Sequence, residues 1–238
     1  MKEKTLISVI MNVLNEEDSQ LRKSIEGYLS QSGVDIQLIV STIAEDPAQK
    51  IAEEYGLDMA IADRPGIYYQ LNNATDKIKG EWFCYASAND FTLETKLHDE
   101  LTKCLTDNKK ICYSSFYTTD SNLNIIKENH FRFPYDYSSH LQSNYVYDLA
   151  LIDVNLLKKY LPFKEEFGNY AYWDLWLRIF EGEGDVFTYN PKPAYLYRQQ
   201  SSSRHIRKQK DSKMWNGDET QKTRMLASHG VYYQARLK

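Results

Sequence analysis

The chain is poor in cysteine, proline and glycine, with 3, 6 and 10 in 238 residues, and each scarcity excludes something. Cys84, Cys104 and Cys112 show no CxxC or His-paired spacing, so neither a disulfide frame nor a zinc site is expected. They read as reduced, core-filling thiols, which points to a cytoplasmic compartment. No GxGxxG or GxxxxGK[ST] occurs, so the dinucleotide fingerprint and the P-loop are missing, and dehydrogenase and kinase readings drop out. No apolar run approaches the ~18 residues of a spanning helix. The opening MKEKTLISVIMNVL runs straight into NEED and reads as a first strand, not a signal segment. Positive charge is not in excess: 29 basic against 33 acidic residues leave a net charge of −4, with no global electrostatic reason to bind nucleic acid.

What is present is ordinary for a globular protein, 42% hydrophobic and 26% charged, except for 19 tyrosines. Phenolic rings suit stacking on sugars and also plain amphipathic packing.

Strand and helix signals alternate through the first half. LISVIMNV at 6–13 is a β-branched run without helical period, and Leu21, Ile25, Tyr28 and Leu29 then fall on one helical face. DIQLIVS at 35–41 reads as a second buried strand; Asp46-Pro47 caps a helix with its stripe at Ala48, Ile51, Ala52 and Tyr55. A weak strand at 59–61 and a helix at 67–78 lead to Lys79-Gly80 and the strand of WFCYASAND at 82–90. Three strand–helix units imply a mostly parallel sheet with helices on both faces and its strand carboxyl ends on one edge. Segments 12–16, 41–46 and 87–90 are therefore expected to converge as a site. The second half is less regular: helix at 92–107, strand at 111–117, a turn-rich aromatic stretch to about Tyr147, helices at 153–160 and 172–181, strands at 186–189 and 194–198.

Four blocks in order resemble the family 2 inverting glycosyltransferases of the GT-A fold. ISVIMNVLNEEDSQLRKSIEGYLSQSGVDIQLIVS looks like the first strand, Asn-Glu turn, first helix and second strand; GIYYQLNNATDKIKGEWFCYASAND like the segment leading into an Asp-x-Asp strand end. WDLWLRIF at 173–180 resembles the acceptor-side helix, and YRQQSSSR at 197–204 the Tyr-Arg…Ser-x-Ser tail. The resemblance covers roughly residues 6 to 205. It implies a Rossmann-like three-layer α/β/α sandwich with a mostly parallel central sheet. Residues 1–205 would form the transferase domain, with a nucleotide half at about 1–91 and an acceptor half at about 92–205. Residues 206–238 would follow as a basic helical tail.

The implied reaction transfers a sugar from a nucleoside-diphosphate sugar to a glycan or lipid-linked hydroxyl, with inversion. It needs a nucleotide pocket, neutralisation of the leaving diphosphate, and a base. By the resemblance, base and ribose lie over Asn12, Leu14, Asn15, Glu16 and Thr42, although the family usually has Pro and Tyr at Asn12 and Leu14 and an Asp near Thr42. Gly66, Tyr68, Tyr69 and Asn72 would line the donor sugar. The family's Asp-x-Asp falls on Ser87-Ala88-Asn89, so two carboxylates have become a hydroxyl and an amide. Asn89 and Asp90 are the expected ligands of Mn2+ or Mg2+; alternatively Arg198, Arg204, His205, Arg207 and Lys208 supply the positive charge. Asp90 also reads as a helix cap.

The family's Glu-Asp pair falls on Ala171 and Tyr172, which leaves Asp174 as the expected catalytic base, with Glu165 and Glu166 as alternatives. Two positions on a helix rotate a side chain by about 200°. Trp173, Trp176 and Leu177 read as core. Loss of both acidic pairs keeps a second reading open: a catalytically inactive relative that binds a nucleotide or glycan. Residues 211–238 stay open as a packing helix, a peripheral contact with the cytoplasmic membrane face, or a homodimer arm.

Overall fold

The computed structural model describes residues 4–129, 134–199 and 211–231. Strand β1 (Leu6–Asn12) is followed by α1 (Asp18–Leu29), β2 (Asp35–Ile43), α2 (Ala48–Glu54), β3 (Asp58–Ala62) and α3 (Ile67–Ala74). Then come β4 (Trp82–Ser87), the two-residue β5 (Phe91–Thr92), α4 (Lys96–Asp107), β6 (Ile111–Thr119) and β7 (Ile125–Asn129). The last elements are α5 (Tyr137–Gln142), β8 (Leu151–Asp153), α6 (Val154–Tyr160), a 3-10 turn (Glu165–Tyr170), α7 (Ala171–Glu183), β9 (Phe187–Arg198) and α8 (Ser212–Ser228).

One sheet runs β3-β2-β1-β4-β8-β6-β9-β5, with β7 paired to β6. Strands β3, β2, β1 and β4 are parallel, as are β6 and β9; β8 runs antiparallel between β4 and β6. The two cores explain why β1 reads as an unbroken apolar run. Ile7, Val9 and Met11 pack with Leu21, Ile25, Ile51, Leu97 and Leu101 beneath α1, α2 and α4. Ile10 faces the opposite core, with Leu71, Leu157, Leu175, Trp176 and Ile179 of α3, α6 and α7. The result is the expected three-layer α/β/α sandwich with a mostly parallel sheet.

Boundaries differ from the sequence reading for local reasons. The helix expected from Thr92 starts at Lys96, because Thr92 pairs with Tyr195 in the sheet. The two strands expected at 186–189 and 194–198 are one strand, whose register with β6 shifts around Pro191 and Pro193. Gly80 allows a close crossing: a Cβ there would sit 2.7 Å from the Leu6 carbonyl oxygen and the Ser8 nitrogen. Trp173, Trp176 and Leu177 are buried, as their spacing predicts.

Candidate functional site

At the carboxyl ends of β1 and β4 lies a cleft of ≈ 1020 Å³, bounded by residues 12–17, 64–70 and 85–89 and closed on one side by Glu165, Gly168, Asn169 and Gln221. Parallel strands place this edge, and the loops that leave it supply the side chains. Gln70 of α3 ties it together: its side-chain amide donates to the carbonyls of Val13 at 3.2 Å and Ser41 at 3.3 Å, and its oxygen accepts the Gly66 amide at 3.2 Å. Gly66 stands at φ 148°, a conformation that favours glycine, where the chain turns into α3.

Of the residues expected around the nucleotide, Asn12, Leu14, Asn15 and Glu16 line the cleft together with Gly66, Tyr68, Tyr69, Ser87 and Asn89. Asn12 Nδ2 donates to the Ile67 carbonyl at 2.5 Å, whereas its buried Oδ1 has no hydrogen-bond partner among the described residues. A buried amide oxygen left unpaired is costly unless a ligand donor meets it. Asn15 adopts the left-handed conformation at φ 52°, and its backbone N–H donates to Asp46 Oδ2 at 2.9 Å. The second Asp46 oxygen accepts the Ala48 amide at 2.9 Å, so the end of β2 braces the first loop from behind instead of lining the cleft. Glu16 is half-buried; burial and the nearby Asp46 carboxylate raise its pKa, and Arg198 offsets part of that rise.

Two expected members are displaced from the lining. Thr42 is fully buried, and its hydroxyl has no hydrogen-bond partner among the described residues. Asn72 spends both ends of its amide on Phe163, donating to its carbonyl and accepting from its N–H, each at 2.9 Å. Three members had no sequence signal beyond their proximity to Gly66 and Trp82: Arg64, Gln70 and Tyr85. The Arg64 guanidinium lies 3.6 Å from the Tyr69 ring centroid and bonds Glu165 at 2.8 Å, and the Tyr69 hydroxyl donates to Asp63.

The end of WFCYASAND divides its polar groups. Ser87 Oγ donates to Asn89 Oδ1 at 2.8 Å on the cleft side. Asp90 is buried, and its Oδ1 accepts the Arg198 amide of β9 at 2.9 Å. Burial lifts its pKa to about 6 against the hydrogen bonds from Arg198 and Ser87 and the Arg198 charge. Asp90 is therefore a clasp between β4 and β9, not a helix cap; the N-cap position of α4 is Thr95. The donors that this strand end brings to the cleft are a hydroxyl and an amide already bonded to each other, a pair that does not by itself fit a resident Mn2+ or Mg2+, which wants carboxylates. No group of three His, Cys, Asp or Glu suited to a metal exists among the described residues. His205, Arg204, Arg207 and Lys208 lie outside the described residues. Arg198 is 5% exposed, and its Nε has no hydrogen-bond partner among the described residues. It does not line the cleft, and its charge acts on Glu16, which does, and on Asp90.

Asp174, the expected base, is placed elsewhere. Its side chain is 0% exposed and absent from the cleft lining. One oxygen accepts from Arg178 Nε at 2.6 Å, and the other pairs with Lys164 Nζ at 3.3 Å and His229 Nε2 at 3.1 Å. The helical rotation between positions 172 and 174 is the reason: Tyr172 packs against Tyr68 and Tyr85 near the cleft, and Asp174 turns toward α8. Burial pushes the Asp174 pKa up, and the His229 hydrogen bond with the charges of Arg178 and Lys164 outweighs it, leaving it lowered. His229 is pulled down by burial, but its bonds to Asp174 and to Glu181 at 2.7 Å leave it raised.

A raised histidine contributes stability that is fully present below its unfolded value near 6.5 and is lost as pH rises through the higher folded value. The thermal midpoint is accordingly expected to fall as pH is raised from 6.5, and His229→Gln is expected to flatten that slope in a scanning-fluorimetry pH series.

No protein-family model matches the chain. It is 27% identical over 195 residues to an uncharacterised glycosyltransferase of Methanocaldococcus jannaschii, covering 74% of this chain. The match spans 65% of that relative's length. Among solved structures it superposes on Staphylococcus aureus TarS 1–349 in complex with UDP with a TM-score of 0.68 at 13% identity, covering 93% of this chain and 70% of that one. It superposes on glucosyl-3-phosphoglycerate synthase of Mycobacterium tuberculosis, in complex with Mn2+, UDP and glucosyl-3-phosphoglycerate, with a TM-score of 0.67 at 14% identity. That match covers 97% of this chain and 82% of the synthase. No described helix is long and apolar enough to cross a membrane. The chain has the GT-A fold of nucleotide-sugar glycosyltransferases.

Proposed function

We propose that the protein is a glycosyltransferase of the family 2 type, moving a sugar from a nucleoside-diphosphate sugar to a glycan or lipid-linked hydroxyl with inversion at the anomeric carbon. The observation that carries this reading is the cleft at the carboxyl ends of β1 and β4 of a GT-A fold, lined by Asn12, whose amide oxygen has no partner among the described residues, and by Glu16, on which the buried Arg198 charge acts. Asn12 Oδ1 accepts a donor N–H or hydroxyl from the nucleoside, Asn15 and Glu16 flank it, and Tyr69 and Gly66 border the sugar. Arg198 neutralises the leaving diphosphate, with Arg64 at the rim. A diphosphate that arrives with its own Mg2+ or Mn2+ would meet the Asn89 amide and Ser87 hydroxyl at the end of β4.

The test is calorimetric titration with a panel of nucleoside diphosphates and their sugars, uridine first, with and without Mn2+, alongside release of nucleoside diphosphate. Absence of binding to every member under both conditions sinks the reading. Arg198→Gln is expected to weaken diphosphate affinity about 10- to 100-fold, the loss of a charge-assisted contact worth roughly 1.5–3 kcal/mol. Its affinity is also expected to depend less on salt than that of the parent. The second reading, a binding protein without turnover, is favoured by the missing carboxylates at Ser87-Ala88-Asn89. It predicts donor binding with no diphosphate release.

A further inference from the structure

Asp148 is a carboxylate that the fold holds in place without a hydrogen-bond or ion-pair partner among the described residues. It sits in the turn 147–150, closed by the Ala150 amide donating to the Tyr147 carbonyl at 3.2 Å, just before β8. Strand β8 pairs antiparallel with β4, Leu151 opposite Cys84, so this turn extends toward the carboxyl end of β4 where the cleft opens. The next residue is pinned from two sides. The Leu149 carbonyl accepts from Lys96 Nζ at 2.7 Å and from Cys84 Sγ at 3.2 Å, and the Leu149 side chain is buried against Phe116, Ala194 and Tyr195.

Asp148 itself is half-buried and has no hydrogen bond or ion pair to any described residue. Its charge acts on Tyr85 of β4, Tyr172 of α7, Tyr195 of β9 and Tyr147 of its own turn, and Asp148 and Tyr172 themselves stand outside the cleft lining. Tyr85 belongs to the cleft lining. Burial alone lifts the carboxyl to about 7. An ionisable group kept unpaired among aromatic rings opposes folding, and such groups concentrate where chemistry needs them.

Resting on the transferase reading above, we propose that Asp148 is the catalytic proton acceptor, taking the proton of the attacking hydroxyl where it enters beside Tyr85 and Tyr172. In the step, the hydroxyl oxygen forms its bond to the anomeric carbon and the bond from that carbon to the β-phosphate oxygen breaks. The electron pair leaves with the nucleoside diphosphate, and the hydroxyl proton ends on Asp148. With water as acceptor the same step yields the free sugar.

The four surrounding tyrosines all titrate above their ordinary range and stay neutral near pH 7. Lys96 of α4 stays cationic. Asp90 and Glu16, which also act on Tyr85, are the other groups able to titrate in this window.

The experiment uses the full chain and UDP-glucose and UDP-N-acetylglucosamine as probes, following binding by calorimetry and UDP release over hours from pH 5 to 9. Wild-type release is expected to rise with pH through a midpoint near 7. Asp148→Asn is expected to lower release about 100- to 1000-fold, the usual worth of a general base, with donor affinity within threefold and the acid limb gone. Asp148→Glu is expected to restore part of the rate and a shifted limb. Because the native carboxyl is raised by burial, Asp148→Asn is also expected to keep or raise the thermal midpoint above pH 7, which a merely structural side chain would not do. Wild type that binds no donor overturns the transferase reading and this assignment with it. Wild type that binds donor but releases no UDP at any pH overturns both in favour of a binding protein without turnover, whereas Asp148→Asn that releases UDP at the parental rate overturns the assignment alone.

Discussion

Replacing Lys96 by Met is expected to cost about 3–5 kcal/mol of folding stability, the usual penalty for removing one partner of a buried ion pair. Lys96 and Glu100 have side-chain exposures of 0% and 1% and meet at 2.7 Å one helical turn apart. Burial presses the Lys96 pKa down, and the Cys84 and Glu100 neighbours outweigh it, so the amine stays protonated. Without it, Glu100 keeps only the Ser114 hydroxyl at 2.7 Å and must hold its charge in the core. Its pKa then rises further above that of the unfolded chain. A carboxyl raised in the folded state loses stability as pH rises, so the deficit of Lys96→Met is expected to be largest at pH 8 and to shrink toward pH 5. Urea titration at both pH values reads this directly. The paired change Lys96→Met with Glu100→Leu removes both charges and is expected to recover most of the loss; a double variant as unstable as the single one would show that the packing of the lysine stem, not the unpaired charge, was responsible.

Replacing Asp174 by Ala is expected to be of similar size, about 3–5 kcal/mol. It strands Arg178, Lys164 and His229 around a fully buried point, and it removes one of the ties between the end of α8 and α7. Asp174→Asn keeps the shape and one acceptor, so it is expected to fall between the parent and Asp174→Ala. The informative comparison is activity per folded molecule. With both its oxygens bonded within the scaffold, Asp174→Asn is expected to bind and turn over donor at a rate within a few-fold of the parent once corrected for the folded fraction. A drop of 100-fold or more with intact folding would return the proton-acceptor role to Asp174.

The strand–helix alternation of the first 90 residues was legible because β1, β2 and β4 are buried on both faces and each helix on one. Runs such as LISVIMN and the stripe Leu21, Ile25, Tyr28 are what those environments require. The cleft edge followed from that alternation, and so did the placing of Asn12, Asn15, Glu16, Ser87 and Asn89 along it. What stayed hidden depends on partners distant in sequence. Strand β8 has three residues and is a strand only because β4 and β6 flank it. Asp90 looked like a metal ligand or a cap, and its actual partner is a backbone amide 108 residues away. Asp148 carried no local signal, since neither the pinned Leu149 carbonyl nor the surrounding rings can be seen from the tetrapeptide YDLA. The rotation that takes Asp174 out of the cleft was visible as helical geometry, but not the cluster that receives it.

Gln221 of α8 borders a cleft whose opposite wall begins at Asn12, and a Cβ on Gly168 would sit 2.4 Å from the Gln221 amide oxygen. The site is thus assembled from segments more than 200 residues apart, and a ligand seated in it touches the first strand and the last described helix at once. Occupancy and global folding are thereby linked: a donor at 100 times its dissociation constant would add about 2.7 kcal/mol to the stability of the whole chain. Thermal upshift by candidate ligands can then screen for the donor without any knowledge of the acceptor.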